Sequence, residues 1–242
     1  MPTKSRVAVA MPPESTPLHL RPTAPLAERV LLPGDPGRAL ALAQALLTAP
    51  RMFNHHRGLW GYTGTTPDGL EVTIQATGIG GPSAAIVLHE LIELGARSAI
   101  RVGTCGALVP GLELGELVIA REALCADGTS RALGAGDRAA ADSSATTALE
   151  RAAPAAHAGS VVSVDLFYEN GAPGAGYEAL AVEMEAAALF ALGAARGVPV
   201  ACVLTVSDTF DSNDRTRRRI EDDALLEAAE AMGRAAIAAL SP

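Results

Sequence analysis

Two glutamates, Glu183 and Glu185, flank Met184 in AVEMEAAALF (181–190), a run that is otherwise wholly apolar. A buried carboxylate costs roughly several kcal/mol unless something satisfies it. Ionised, it only accepts hydrogen bonds, so this pair is there to hold a donor. In a continuous helix positions i and i+2 diverge; at a strand-to-helix junction both acids can point into one cleft. The blander alternative is two solvated acids at a helix start, favoured by the dipole. Arg101 poses the converse question. It sits inside the apolar stretch SAIRVG (98–103), with Thr104 just past it, and needs an acidic partner or an anionic ligand. LLPGDPGR (31–38) sets Gly34, Asp35 and Arg38 at a helix N-terminus, where backbone N–H groups favour an anion. Arg57 precedes a glycine in HHRGLWG (55–61), and TVSDTF (205–210) ends an apolar strand with Ser207-Asp208. A carboxylate at that place is either a helix cap or a general acid.

The glycine-rich turn TGIGGPS (77–83) invites a dinucleotide-binding reading, but its spacing is not G-x-G-x-x-G. The following strand carries Arg101 and ends in Gly103, where an acidic residue would be expected, which argues against a nicotinamide enzyme. The three cysteines, Cys105, Cys125 and Cys202, fit neither a disulfide framework nor a metal knuckle, and they read as free thiols in a reducing compartment. His55 and His56 are adjacent, and on a strand they would point to opposite faces. No metal site is expected. A net charge of −8 argues against nucleic-acid binding, and 3% aromatic content argues against stacking platforms for single strands. Any phosphate must therefore meet a local arginine cluster in an acidic body. The first residues, through Met11, are too briefly apolar for a secretory signal or a membrane span. We read residues 1–17 as a flexible arm on a cytoplasmic protein without membrane association.

These residues need a scaffold. At 242 residues and 49% hydrophobic content the chain has material for a sizeable core. RVLLP (29–33), SAIRVG (98–103), GELVIAREAL (115–124), SVVSVDLF (160–167) and PVACVLTVSD (199–208) read as strands. Residues 59–77 read as a hairpin turning at Pro67-Asp68-Gly69. Helices are expected over 36–47, 84–96, 145–153, 184–197 and 217–240, with a surface excursion at 125–146 and a loop at 171–176. Strands and helices alternate without a composition break. The expectation is one α/β domain over 1–242, a central mixed sheet flanked by helices on both faces in three αβα layers. In such sheets the loops after the strands carry the chemistry.

GDPGR (34–38), RG (57–58), TGIGGPS (77–83), RVGTCGAL (101–108), DLFY (165–168), VEMEAA (182–187) and TVSD (205–208), in this order, resemble one family. It is that of the hexameric nucleoside phosphorylases: purine nucleoside, methylthioadenosine and uridine phosphorylases. The resemblance runs from about Leu18 to the last helix. It implies that Gly34, Arg38, Arg101 and Thr104 form a phosphate site, and that Arg57 reaches the phosphate of a neighbouring subunit. His19 would reach across the interface to the ribose 5′ end, which Ile79 lines. Phe167 would flank the base. Glu183, Met184 and Glu185 would hold the ribose, with Glu185 the main acceptor for its diol and Met184 on its apolar face. Asp208 would be the acid at purine N7, with Ser207 beside it.

The resemblance further implies phosphorolysis of purine ribo- or deoxyribonucleosides to free base and pentose 1-phosphate, in purine salvage. Inorganic phosphate is the co-substrate and no cofactor is needed. The assembly would be a homo-oligomer, a hexamer of three dimers. Uridine phosphorylases read uracil with a glutamine and an arginine before the ribose motif. Here Tyr168–Val182 contains neither, which favours purine. The methylthioadenosine branch shares GIGGPS and stays open. So does the arginine that assists Asp208, for which Arg215, Arg217, Arg218 and Arg219 are candidates. A nucleosidase using water would leave the arginines idle, and a non-catalytic nucleoside-binding protein would have no need of Asp208.

Overall fold

The computed structural model describes residues 17–168, 174, 176–210 and 217–241. The expected arm, residues 1–17, lies almost wholly outside them, as do Arg215 and most of the loop at 171–176.

Strand β1 (Arg29–Leu32) leads through Asp35 into α1 (Pro36–Leu46), with proline in the first turn where its missing N–H costs nothing. Strands β2 (Thr48–Asn54), β3 (Gly61–Thr65) and β4 (Glu71–Gln75) follow. The β3–β4 hairpin turns at Pro67–Gly69 as expected, with Gly69 at φ 88. Next come α2 (Gly81–Glu93), β5 (Ser98–Ala107), β6 (Leu117–Cys125), α3 (Gly128–Ala132), β7 (Arg138–Ala140), α4 (Ser143–Ala152) and β8 (His157–Ser163). The chain continues through β9 (Ala181–Glu183), α5 (Ala186–Arg196), β10 (Val200–Phe210), β11 (Arg217–Arg219) and α6 (Asp222–Leu240).

The sheet is mixed, as expected. β1 runs parallel to β4 and β5, and β5 parallel to β10, while β6 and β9 run antiparallel to β10 and β5. Pairing continues from β6 to β8 and from β8 to β9, so β5, β10, β6, β8 and β9 form a closed circuit. Alternation with period two supplies both faces. Val30, Leu32, Ala99, Cys202 and Leu204 pack towards α2 and α5. Leu31, Ile100, Val102, Ala201 and Val203 pack towards α1, α4 and α6.

Several elements differ from the sequence reading. Residues 125–146 are not a plain surface excursion: they hold α3 and β7, and Asp127, Ser130 and Ala139 are buried. The last helix begins at Asp222, not at residue 217. Asp222 and Asp223 complement the dipole of its first turn, whereas Arg217–Arg219 would oppose it and instead pair with β10. The helix read from residue 184 starts at Ala186, because Glu183 ends β9. β5 extends to Ala107, so Thr104 lies within the strand. β2 escaped the reading because it is mostly exposed and contains Pro50, tolerated at a sheet edge.

Candidate active site

The parallel strands β1, β4, β5 and β10 end on one side of the sheet, and there a cleft of about 810 Å³ opens. Gly34, Arg38, Arg57, Ile79, Arg101, Thr104, Phe167, Glu183, Met184, Glu185, Ser207 and Asp208 all line it. Of the expected site residues, His19 does not. It lies on its own chain against α2, its Nδ1 2.7 Å from Glu90 Oε1, while the backbone N–H groups of Leu18, His19 and Leu20 also donate to the Glu90 carboxylate.

The two opening glutamates meet Arg101. Glu183 closes β9 and Glu185 is the N-cap of α5, so the chain bends between them and both carboxylates turn inward. Arg101 Nε donates to Glu183 Oε2 at 3.0 Å, and its Nη2 lies 2.5 Å from Glu185 Oε2. Glu183, Glu185 and Arg101 are only 4%, 5% and 3% exposed, which rules out solvated acids at a helix start. Gly103 makes room for this arrangement: a Cβ there would come within 2.7 Å of the Arg101 Cζ. Among the described residues Arg101 Nη1 is buried without a hydrogen-bond partner. Its unmade bonds mark a place for an anion, since a buried donor left unpaired is costly.

Burial lowers the pKa of Arg101, but Glu185 and Glu183 more than offset this, so the guanidinium stays charged. Burial raises the pKa of Glu183; Arg101 opposes the rise and Glu185 adds to it. Arg38 enters from the first turn of α1, which Asp35 caps by accepting from Arg38 N at 2.6 Å. Burial lowers its pKa, Asp35 opposes that, Arg101 adds to the lowering, and Glu185 opposes it. Crowded cations lacking solvent favour an anionic ligand. Arg57 is exposed, in a left-handed turn at φ 59, at the rim of the cleft of its own chain.

The glycine turn acts on Glu185. Gly80, at φ 88, donates its N–H to Glu185 Oε1 at 2.5 Å. At the cleft's other carboxylate, the register between β10 and β5 shifts between Val206 and Asp208. Such a bulge re-aims side chains, and here consecutive Ser207 and Asp208 both face the cleft. Ser207 Oγ donates to Asp208 Oδ2 at 2.7 Å, and Arg217 Nε donates to Asp208 Oδ1 at 2.7 Å. The Arg217 guanidinium also lies 4.4 Å from the ring centroid of Phe167, a cation–π distance. Of the described candidates Arg217 is thus the arginine beside Asp208. Among the described residues no group of three His, Cys, Asp or Glu side chains is placed to hold a metal ion. No helix among them is long and apolar enough to cross a membrane.

Residues 28–241 match the model of the Phosphorylase superfamily. The chain belongs to this superfamily. Within the superfamily it is 38% identical over 204 residues to the DeoD-type purine nucleoside phosphorylase of Geobacillus kaustophilus, covering 80% of this chain and 86% of that one. The proteins of that name from Alkaliphilus metalliredigens and Bacillus cereus are 36% and 37% identical over 203 residues, each covering 79% of this chain and 86% of the relative. The superfamily member described here thus carries its match across every element that lines the cleft.

Sequence reasoning missed Gly103, Ser163 and Gly80 as parts of the site. Ser163 Oγ donates to Glu183 Oε1, and Gly80 supplies a backbone donor. Neither role leaves a signal in residue type, because each depends on a partner far along the chain. The signal for Gly103 was a glycine two residues after an arginine inside an apolar strand.

Proposed function

We propose that this chain catalyses phosphorolysis of purine ribo- and deoxyribonucleosides, releasing the base and a pentose 1-phosphate in purine salvage. The observation that carries this reading is one cleft lined both by Arg101, whose buried Nη1 has no partner among the described residues, and by Asp208, held between Ser207 and Arg217. The relatives' name, purine nucleoside phosphorylase, supports it. The enzyme is a pentosyltransferase.

In this reading Arg38, Arg57 and Arg101 bind phosphate with charge-assisted hydrogen bonds, helped by Gly34 and Thr104. Phosphate is already a nucleophile and needs only positioning. As the glycosidic bond breaks, positive charge grows on the sugar and the nearby phosphate stabilises it. Glu185 accepts the ribose hydroxyls, Met184 packs on the sugar, and Ile79 lines its 5′ end. Phe167 flanks the purine. Asp208 gives N7 a proton so that the base leaves neutral, and Arg217 stabilises the carboxylate that results. No cofactor takes part.

The reading extends to residues 1–242 as one domain with residues 1–17 as an arm, in the cytoplasm. It also extends to a hexamer of three dimers in which His19 and Arg57 complete the neighbour's site. The exposure of Ile79 (80%) at the cleft and of Leu18 (70%) beside His19 supports a covered surface there.

The deciding experiment is cleavage of inosine, adenosine, methylthioadenosine and uridine with and without phosphate. Phosphate-dependent cleavage of inosine or adenosine is expected. Cleavage without phosphate or arsenate would make the protein a nucleosidase, and activity confined to uridine would refute the purine assignment.

A further inference from the structure

Glu183 and Glu185 are not equivalent, although they are one residue apart and both touch Arg101. The Glu183 side chain is fully buried. Its Oε2 accepts from Arg101 Nε at 3.0 Å and from the backbone N–H groups of Glu185 and Ala186, each at 2.9 Å. Its Oε1 accepts from Ser163 Oγ, whose own oxygen accepts the N–H of Ala187 at 2.9 Å. A carboxylate offers about four lone-pair sites. Among the described residues Glu183 accepts from four protein donors, three on Oε2 and one on Oε1, and three of the four belong to the first turn of α5 or are fixed against it. Glu185 instead carries, among the described residues, one donor on each oxygen, Gly80 N and Arg101 Nη2, and so has acceptor capacity for two hydroxyls.

We infer that Glu183, pinned by Ser163 and the N-terminus of α5, is a positioning residue for phosphate binding that aims the Arg101 guanidinium, while Glu185 alone of the pair serves the sugar. Geometry favours this in two ways. Nε is the one guanidinium nitrogen fixed to the side-chain stem, so a rigid acceptor on it sets the plane of the whole fork. With Nε tied to Glu183 and Nη2 to Glu185, Nη1 is the nitrogen left for a ligand, and among the described residues it is the one buried without a partner. Ser163 and α5 are both anchored in the core, so the aim is set before any ligand arrives.

The inference rests on the phosphorolysis reading for its kinetic arm and is independent of it in its binding arm. Phosphate affinity is measured by calorimetry on the full chain. Phosphate KM is measured with a ribonucleoside and with its 2′-deoxy and 3′-deoxy analogues. Glu183→Gln should raise the phosphate Kd and KM about tenfold, the scale of one charge-assisted hydrogen bond. The ratio of kcat/KM between riboside and deoxy analogues should stay unchanged, whereas Glu185→Gln should collapse it. Combined with Arg101→Lys, which loses the fork, Glu183→Gln should add little further loss of phosphate affinity. Ser163→Ala, a milder change, should shift phosphate affinity in the same direction and leave the sugar ratio alone; it carries the test if Glu183→Gln does not fold. Unchanged phosphate affinity in these variants, or a riboside-to-deoxy ratio that collapses in Glu183→Gln, overturns the inference. If the unmodified protein binds phosphate but cleaves no nucleoside, the phosphorolysis reading fails while the calorimetry still decides the role of Glu183.

Discussion

Among the described residues Asp208 holds two donors, Ser207 Oγ and Arg217 Nε, one on each carboxylate oxygen. A purine leaving without a proton on N7 would carry full negative charge in a cleft that already contains Glu183, Glu185 and Asp208. Asn at this position keeps the shape and can hydrogen-bond N7, but it cannot transfer a proton. Asp208→Asn is expected to lose about 10²–10⁴-fold in kcat on inosine or adenosine, the range for general-acid loss. It should keep much more activity on 7-methylguanosine, whose base already carries the positive charge that protonation supplies. Equal losses on both substrates would make Asp208 a residue that orients the base. Glu185 is the second test at this scale. Glu185→Gln retains an acceptor but removes the charge, and about 2–3 kcal/mol of transition-state stabilisation should go with it. The penalty is read as kcat/KM on a riboside. Were 2′,3′-dideoxynucleosides to react with the unmodified enzyme as fast as ribosides, no carboxylate would be reading the sugar.

Helix α2 anchors the segment before β1 through a single side chain. Glu90 is buried, and its carboxylate gathers the N–H groups of residues 18, 19 and 20 together with His19 Nδ1. Burial alone would raise its pKa, but the bond to His19 and then those to the backbone outweigh burial and hold it below the ordinary carboxylate value. A carboxylate depressed in the folded state contributes stability above its unfolded pKa and loses it as pH falls through the folded one. The stability lost in Glu90→Gln should therefore be full at neutral pH and should shrink once pH drops below about 4. Urea unfolding midpoints of both proteins from pH 7 to pH 3 measure it, and a gap constant over that range would show that the charge of Glu90 is not what holds the segment. This anchor was invisible in the sequence because its partners lie about seventy positions apart. Separations of 82 and 20 positions likewise hid the bonds from Glu183 to Arg101 and to Ser163. What could be read were residues out of character with their surroundings: an arginine in an apolar strand, acids in an apolar run, Ser-Asp closing another strand. Strands β1, β5, β6 and β10 were legible because their apolar runs serve both faces of a covered sheet. β7 and β11 are three residues each and are recruited by pairing with neighbours, so local pattern carries no trace of them.

At the scale of the whole molecule the open issue is which chain each side chain serves. The cleft is lined by residues from before α1 to β11, so nearly the whole chain must fold before a substrate is gripped. In the proposed reading two residues, His19 and Arg57, would act beyond their own chain. His19 has Nδ1 committed to Glu90, which fixes the ring and leaves Nε2 as its remaining polar atom. Arg57, exposed and in a left-handed turn, lies at the rim of its own cleft. Service in trans and service in cis make opposite predictions for mixtures of inactive chains. Pairing Arg57→Ala with Asp208→Asn after subunit exchange gives, in trans, a site with a sound Asp208 and an arginine supplied by the other chain. In cis, every site in the mixture stays defective. The same logic holds for His19→Ala with Asp208→Asn. In the two-fold arrangement proposed, both mixtures should regain activity, because isologous contacts make each chain complete the other. Regain with His19→Ala alone would assign Arg57 to its own chain, and regain in neither would assign both residues so. Sedimentation of the unmodified protein sets the frame for this result: a dimer or hexamer is expected, and a fully active monomer would end the shared-site reading.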